Sequence, residues 1–235
     1  MAFLVSHATV IFFSLGTVLM GVLMVIQRKL YGLRVWQALL MTLILAAVGM
    51  AGVRLLAILE HWDSLMAGQI AGGMSFFGSV FLVPLLMPLF GKLFRLRAGQ
   101  TMDLCAPCVA GIVGVMRIAC RLVGCCGGRE IHYMGRTFFP PTQLIDMGWD
   151  FYLMGLLLYF NLKKEKEGIA YPMFMLGYGA MRFILEFFRD TEKDWLHLSH
   201  GQVFSLIAIV IAVYYIKRSG YRFGEPMHSK KEADT

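Results

Sequence analysis

Residues 5–29 read VSHATVIFFSLGTVLMGVLMVIQRK. From Val5 to Gln27 there is no Lys, Arg, Asp or Glu, and the run ends abruptly on Arg28 and Lys29. A helix needs about 20 apolar residues to cross the hydrocarbon core of a bilayer. A basic cluster straight after such a run is where a cytoplasmic loop carries its charge. The run has no basic residues ahead of it and is too long for the apolar part of a secretory signal. It is predicted to be a first membrane span that stays in the chain.

The same pattern recurs along the sequence. Apolar runs follow at 35–59, 73–90, 104–123, 144–162, 171–188 and 202–216. Arg34 closes the first basic cluster. Lys92, Arg95 and Arg97 follow the third run, Lys163, Lys164 and Lys166 the fifth, and Lys217 and Arg218 the seventh. The loop from Glu60 to Ile70 has no basic residue. Basic loops after every odd-numbered run predict an all-α membrane protein. It is a seven-transmembrane-helix bundle with its N-terminus outside and its C-terminus cytoplasmic. Residues 1–218 form one membrane domain, 219–235 a polar cytoplasmic tail, and the protein is placed in the cell (inner or plasma) membrane.

Composition agrees. Of 235 residues, 58% are hydrophobic and 16% charged, against about 45–50% and 25% in an average globular domain. That excludes a soluble multidomain enzyme, a disordered chain and a fibre. The net charge of +7 is made by the loop clusters, so no nucleic-acid partner is expected. The 25 glycines suit close approach of membrane helices.

The informative residues are the charges inside apolar runs, where each costs about 2.5–3.5 kcal/mol on insertion scales. The sixth run carries Tyr178, Arg182, Glu186 and Arg189. Spacings of four, four and three put them on one helical face. Arg182 and Glu186 can satisfy each other, and the second arginine is left over as a site for an anion. The fourth run carries Arg117 and Arg121, one turn apart and mutually repulsive. Asp146 and Asp150 can neutralise them, Arg121 before Arg117. Otherwise the pair invites a phosphate, which guanidinium grips with two hydrogen bonds. Arg54, late in the second run, either joins them or snorkels to the outer face. Under the predicted topology all these positions lie in the outer halves of their spans, so an arginine-lined cavity for an anionic lipid head group is expected there.

Cys105 and Cys108 form C-A-P-C at the start of the fourth span. A redox pair or half a zinc site has that spacing, but nothing in the sequence completes a zinc site, so packing is the favoured role and no metal is expected. Cys120, Cys125 and Cys126 close the same span; Cys125 or Cys126 could serve as a nucleophile in so electropositive a place. His132, His197 and His200 lie in outer loops, and each could be a general base.

Asp103-Leu-Cys-Ala-Pro107, Arg117-Ile-Ala-Cys-Arg-Leu-Val-Gly124-Cys-Cys-Gly-Gly128, Pro141-Thr-Gln-Leu144, Gly177-Tyr-Gly-Ala-Met-Arg182-Phe-Ile-Leu-Glu186-Phe-Phe-Arg189, and Gly201-Gln202 with Ser205 occur in that order. With Gly73-Met-Ser-Phe76, this series resembles the prolipoprotein diacylglyceryl transferase family. The resemblance implies a seven-span inner-membrane enzyme. Such an enzyme moves the diacylglyceryl group of phosphatidylglycerol, or a similar anionic phospholipid, onto the cysteine thiol of a lipobox-containing preprolipoprotein or other thiol acceptor. Glycerol 1-phosphate leaves, and no cofactor takes part. It also implies Arg117, Arg182 and Glu186 as catalytic residues, and Arg54, Gly124, Gln143, Tyr178 and Arg189 as substrate-binding ones. Phe77 stands where the family has a histidine proposed as general base, and Ser79 where it has a glycine. The alternative readings are a catalytically inactive protein of the same fold that binds or moves anionic phospholipid, and a thiol-redox membrane protein.

Overall fold

The computed structural model describes residues 2–60, 62, 66, 74–133, 136–163, 167–189, 191 and 198–221. Most of the expected outer loop from Glu60 to Ile70, His197 and nearly all of the polar tail lie outside the described residues.

Seven α-helices make up the described chain. They are α1 (Ala2–Gln27), α2 (Val35–Glu60), α3 (Phe76–Leu93), α4 (Ala98–Val123), α5 (Thr142–Leu162), α6 (Ala170–Glu186) and α7 (His200–Ser219). A short hairpin, β1 (Ile131–Tyr133) and β2 (Arg136–Phe138), lies between α4 and α5 with His132 opposite Thr137. The all-α expectation holds apart from that hairpin. Helices α1, α2, α3, α4 and α7 are long and apolar enough to cross a membrane. The other two of the seven expected spans are not of that kind. Helix α5 carries the buried Asp146, Asp150 and Asn161, and α6 is only 17 residues long with Arg182 and Glu186 in it. The side chains that make these helices polar are the ones that build the site.

Helix α4 is the axis of the bundle and packs against α1, α3, α5 and α6. Small residues on its buried faces allow this. A Cβ on Gly111 would touch Met154 Sδ of α5 at 3.0 Å and Leu19 and Leu23 of α1 at 3.3 Å. Helices α2 and α3 meet still more closely. A Cβ on Gly52 would lie 2.5 Å from the Gly78 carbonyl oxygen, and one on Gly78 would overlap the Gly52 oxygen. No side chain fits between these backbones.

One end of the bundle is tied by a buried polar network. Asp103 accepts hydrogen bonds from the backbone N–H groups of Gly168 (2.6 Å) and Ala170 (2.9 Å). Its carboxylate thereby caps the start of α6, where a helix favours negative charge. Asn161 donates to the Asp103 carbonyl (2.6 Å) and to Gln27 Oε1 (2.8 Å). This links α1, α4, α5 and the start of α6 in one chain of bonds. Cys105 and Cys108 are fully buried beside it, in the packing role favoured from the sequence. Helix α7 starts on a capping box, in which Ser199 Oγ accepts from Gln202 N–H and Gln202 Oε1 accepts from Ser199 N–H, the reciprocal arrangement expected of that motif.

Candidate functional site

A cavity of about 510 Å³ opens beside α4. One wall comes from α1, α2 and α3 and is mostly apolar, with Leu45, Met50, Val53 and Phe77 among its residues; Glu60, which accepts a hydrogen bond from Ser75 Oγ at 2.8 Å, and Ser79 are its polar members. The facing wall comes from α4, α6 and the turns that follow them, and brings Arg117, Arg182, Glu186 and Arg189 together.

Local structure explains how residues so far apart in sequence meet. Arg117 and Arg121 are one turn apart near the end of α4, and Asp146 and Asp150 are one turn apart near the start of α5. The two helices run in opposite directions on either side of the connection that holds the hairpin, which sets the carboxylates level with Arg117. Arg117 Nε lies 3.3 Å from Asp146 Oδ2 and 4.0 Å from Asp150 Oδ2. Arg121, in the last turn of α4, is exposed. The expectation that these aspartates would serve Arg121 before Arg117 is therefore reversed. Asp146 Oδ2 also accepts a hydrogen bond from Arg182 Nη1 at 3.3 Å. Arg182 Nη2 is 3.3 Å from Glu186 Oε2, and Arg189 Nε is 3.9 Å from that same oxygen.

Three guanidiniums thus face three carboxylates, and the leftover cation expected from α6 alone is matched by acids of α5. The pairs are loose. Arg117 Nε, Arg189 Nε, Asp150 Oδ2 and Glu186 Oε2 are buried without a hydrogen-bond partner. An unmade bond of this kind is costly in a dry interior, and the two arginine Nε–H donors suit an anion. Gly201, at the start of α7, leaves room for Glu186: a Cβ there would stand 3.1 Å from its carboxyl group.

Arg189 lies past the end of α6, and a second device places it. Gly128 pairs with it as an antiparallel bridge, and Arg129 N–H donates to the Phe188 carbonyl at 2.8 Å. The turn after α4 therefore carries both Arg189 and the cysteines. Cys120, Cys125 and Cys126 all line the cavity. A hydrogen bond from Cys120, with smaller help from Arg189 and Arg117, holds the Cys126 thiol well below the ordinary cysteine range against the opposing effect of burial.

Tyr178 is buried among rings, 5.2 Å from Phe76, 5.5 Å from Phe77 and 5.6 Å from Phe174 between centroids, and it lines the cavity. Phe77 also packs on Phe81 and Phe204. Phe77 is thus part of an aromatic cluster at the cavity.

Three of the expected substrate-binding residues do not line the cavity. Gly124 ends α4 in the left-handed conformation (φ 77°), which favours glycine. Gln143 Nε2 donates to the Cys125 carbonyl at 2.9 Å, so it holds the cysteine turn. Arg54 is exposed on α2. Among the described residues no histidine lines the cavity. His132 is exposed on β1, near Glu130 and Thr137, and His200 is exposed at the start of α7. Asp146, at the centre of the charged group, enters the sequence argument only as a counter-charge.

Comparisons with known proteins identify the family of the chain. The model of the prolipoprotein diacylglyceryl transferase family matches residues 5–218. The chain is 29% identical over 167 residues to a phosphatidylglycerol–prolipoprotein diacylglyceryl transferase of Clostridium tetani, covering 66% of this chain and 67% of that one. A relative of the same name, numbered 2, from Clostridium perfringens is 27% identical over 222 residues, 87% of this chain and 82% of its own. A third, from Acinetobacter baylyi, is 28% identical over 201 residues, 73% and 72% of the two chains. The matched region holds every helix of the bundle and both walls of the cavity, and so the chain belongs to the prolipoprotein diacylglyceryl transferase family.

Proposed function

We propose that this protein transfers the diacylglyceryl group of phosphatidylglycerol to the cysteine thiol of a prolipoprotein, with glycerol 1-phosphate leaving. The observation that carries this reading is the two-sided cavity, mostly apolar on the α1–α3 wall and arginine-lined on the wall of α4 and α6. A phospholipid has the same division. Acyl chains lie against Leu45, Met50 and Val53, and the phosphate meets Arg117 and Arg182. The scissile C3–O bond then falls at the seam, near Tyr178 and Phe77.

In this mechanism the thiolate of the acceptor attacks C3. The C3–O bond breaks, and its electron pair goes to the phosphate. Arg117 and Arg182 stabilise the charge that develops on the departing phosphate, the kind of preorganised electrostatic help that dominates much enzyme catalysis. Glu186 orients Arg182 and Arg189, and Arg189 steadies the head group. Arg54, Gly124 and Gln143 act outside the cavity, Gln143 by holding the turn that carries the cysteines.

The same reading includes a multi-pass protein of the inner or plasma membrane. All seven helices cross, the N-terminus is outside and the C-terminal tail beyond residue 218 is cytoplasmic. The basic loops support this, and so do the pairs formed by Asp146, Arg182 and Glu186, which leave α5 and α6 without an unmatched charge.

The test uses purified protein in phosphatidylglycerol micelles with a lipobox peptide, and reads the peptide mass. A diacylglyceryl adduct is expected, and Arg182→Ala should abolish it. A folded Arg182→Ala variant that turns over normally refutes the assignment of the phosphate to this wall.

A further inference from the structure

We propose that Cys120, Cys125 and Cys126 form a three-thiolate site for zinc at the edge of the cavity, whose fourth coordination position takes the sulfur of the acceptor cysteine. The second half of this statement rests on the transferase reading; the first does not.

The three Sγ atoms all lie within 4.8 Å of one another. In a tetrahedral zinc site with Zn–S bonds of about 2.3 Å, sulfurs stand roughly 3.8 Å apart. The cluster closes around an ion by shifts of about 1 Å. C-x-x-C counting misses it, because the ligand spacing is C-x-x-x-x-C-C. The fold makes the cluster by ending α4 between the first and second cysteines. Gly124 turns the chain back in the left-handed conformation, and Cys125 N–H bonds to the Cys120 carbonyl at 3.1 Å. Cys126 itself has φ 62°, a conformation that side-chain-bearing residues rarely adopt and that clusters at functional positions. It aims the third sulfur back toward the other two.

The turn is held from behind. Gln143 Nε2 donates to the Cys125 carbonyl (2.9 Å) and Thr142 Oγ1 to the Cys126 carbonyl (3.0 Å). These bonds fix the backbone of the turn that carries two of the three sulfurs. All three cysteines line the cavity that holds the arginines.

Charge and chemistry select the ion. Three thiolates and a divalent zinc ion sum to −1, and the guanidiniums of Arg117 and Arg189, shared with Asp146 and Glu186, lie on the same wall. Soft thiolate ligands suit zinc or monovalent copper. Zinc prefers four ligands and is content with three from the protein and one from outside. A thiol that joins such an ion is deprotonated by it. That supplies a thiolate in a cavity that, among the described residues, no histidine lines.

The step balances as follows. The acceptor S–H binds, and its proton passes to water. The zinc-held thiolate forms an S–C3 bond as the C3–O bond breaks, and the electron pair goes to the phosphate oxygen facing Arg117 and Arg182. The product is a neutral thioether, a weaker ligand, and it leaves the ion.

The experiment uses full-length protein purified under reducing conditions and equilibrated with zinc alone, then with cobalt(II) alone. Expected are about one zinc per chain and a near-ultraviolet thiolate-to-cobalt absorption, both lost in Cys125→Ala and Cys120→Ser. Cys125 is exposed, so Cys125→Ala should lose the metal and unfold at the temperature of zinc-free wild type, below that of the zinc-loaded protein. A lipobox peptide should strengthen the cobalt absorption, and the same peptide with serine for its cysteine should not. Wild-type protein that retains no zinc and shows no cobalt band overturns the site. So does a cluster that takes up monovalent copper in place of zinc or is isolated as a disulfide. A cobalt band that the peptide leaves unchanged overturns the open fourth position. Full transfer by zinc-free protein overturns the thiol activation and leaves the transferase reading standing. A zinc site with no adduct under any condition refutes the transferase reading instead.

Discussion

Asp146 is the residue on which the charged group turns, because one oxygen, Oδ2, serves both Arg117 and Arg182 at 3.3 Å. Asp146→Asn keeps the shape and removes the charge. Arg117, Arg182 and Arg189 then face only Asp150 and Glu186, one positive charge too many in a buried place. Removing one partner of a buried pair costs about 3–5 kcal/mol. Asparagine still offers a carbonyl oxygen to one guanidinium, so the lower end, about 3 kcal/mol, is expected. At about 2–4 °C per kcal/mol for a chain of this size, the unfolding temperature falls by roughly 6–12 °C. A phosphate in the cavity supplies the missing negative charge. A ligand at 100 times its Kd adds about 2.7 kcal/mol, so phosphatidylglycerol should recover most of the loss. The assay is thermal unfolding of wild type and Asp146→Asn in detergent alone, with phosphatidylcholine, and with phosphatidylglycerol. The variant should be destabilised in the first two and rescued selectively in the third. An equal shift of both proteins by phosphatidylglycerol refutes the reasoning, as does a variant that melts with the wild type throughout.

Three further changes probe the frame of the cavity. Gly78→Ala places a Cβ into the Gly52 backbone and should destabilise by about 3 kcal/mol or more, the upper range for overpacking, read as lost folded protein in detergent. Phe77→His puts a polar ring among Phe76, Phe81, Tyr178 and Phe204; about 1–3 kcal/mol of stability should be lost for an unsatisfied group, with no gain in transfer rate. Gly201→Ala presses on the Glu186 carboxyl group and should lower kcat while leaving the unfolding temperature near that of wild type; an unchanged kcat would show that the carboxylate is not held in position for the reaction.

Hydropathy made α1 to α4 and α7 legible, because each is long and apolar enough to cross a membrane and basic clusters follow α1, α3 and α7. The polar stripe of α6 was legible too, since spacings of four and three need only helical geometry. What the sequence could not give was the partner of each charge. Asp146 and Asp150 reach Arg117 because of how α4 and α5 run past each other, a tertiary fact. The end of α6 at Glu186 hides the means by which Arg189 is placed, which is a backbone bridge from Gly128. The cysteine cluster was invisible for the same reason: adjacency of Cys120 to Cys126 appears only once Gly124 has reversed the chain.

The glycine contact between α2 and α3 bears on the order in which the protein is made. The two helices are neighbours in sequence, and their tightest crossing, Gly52 against Gly78, needs nothing C-terminal to Leu93. Chains emerge N-terminus first, so this hairpin can form before Arg117 reaches the bilayer. Much of the apolar wall is thus available as a surface before the first cavity-lining arginine reaches the bilayer. That arginine must wait for α5 to bring Asp146. A fault at Gly52 or Gly78 would therefore strike during biogenesis, ahead of any step in which lipid is bound.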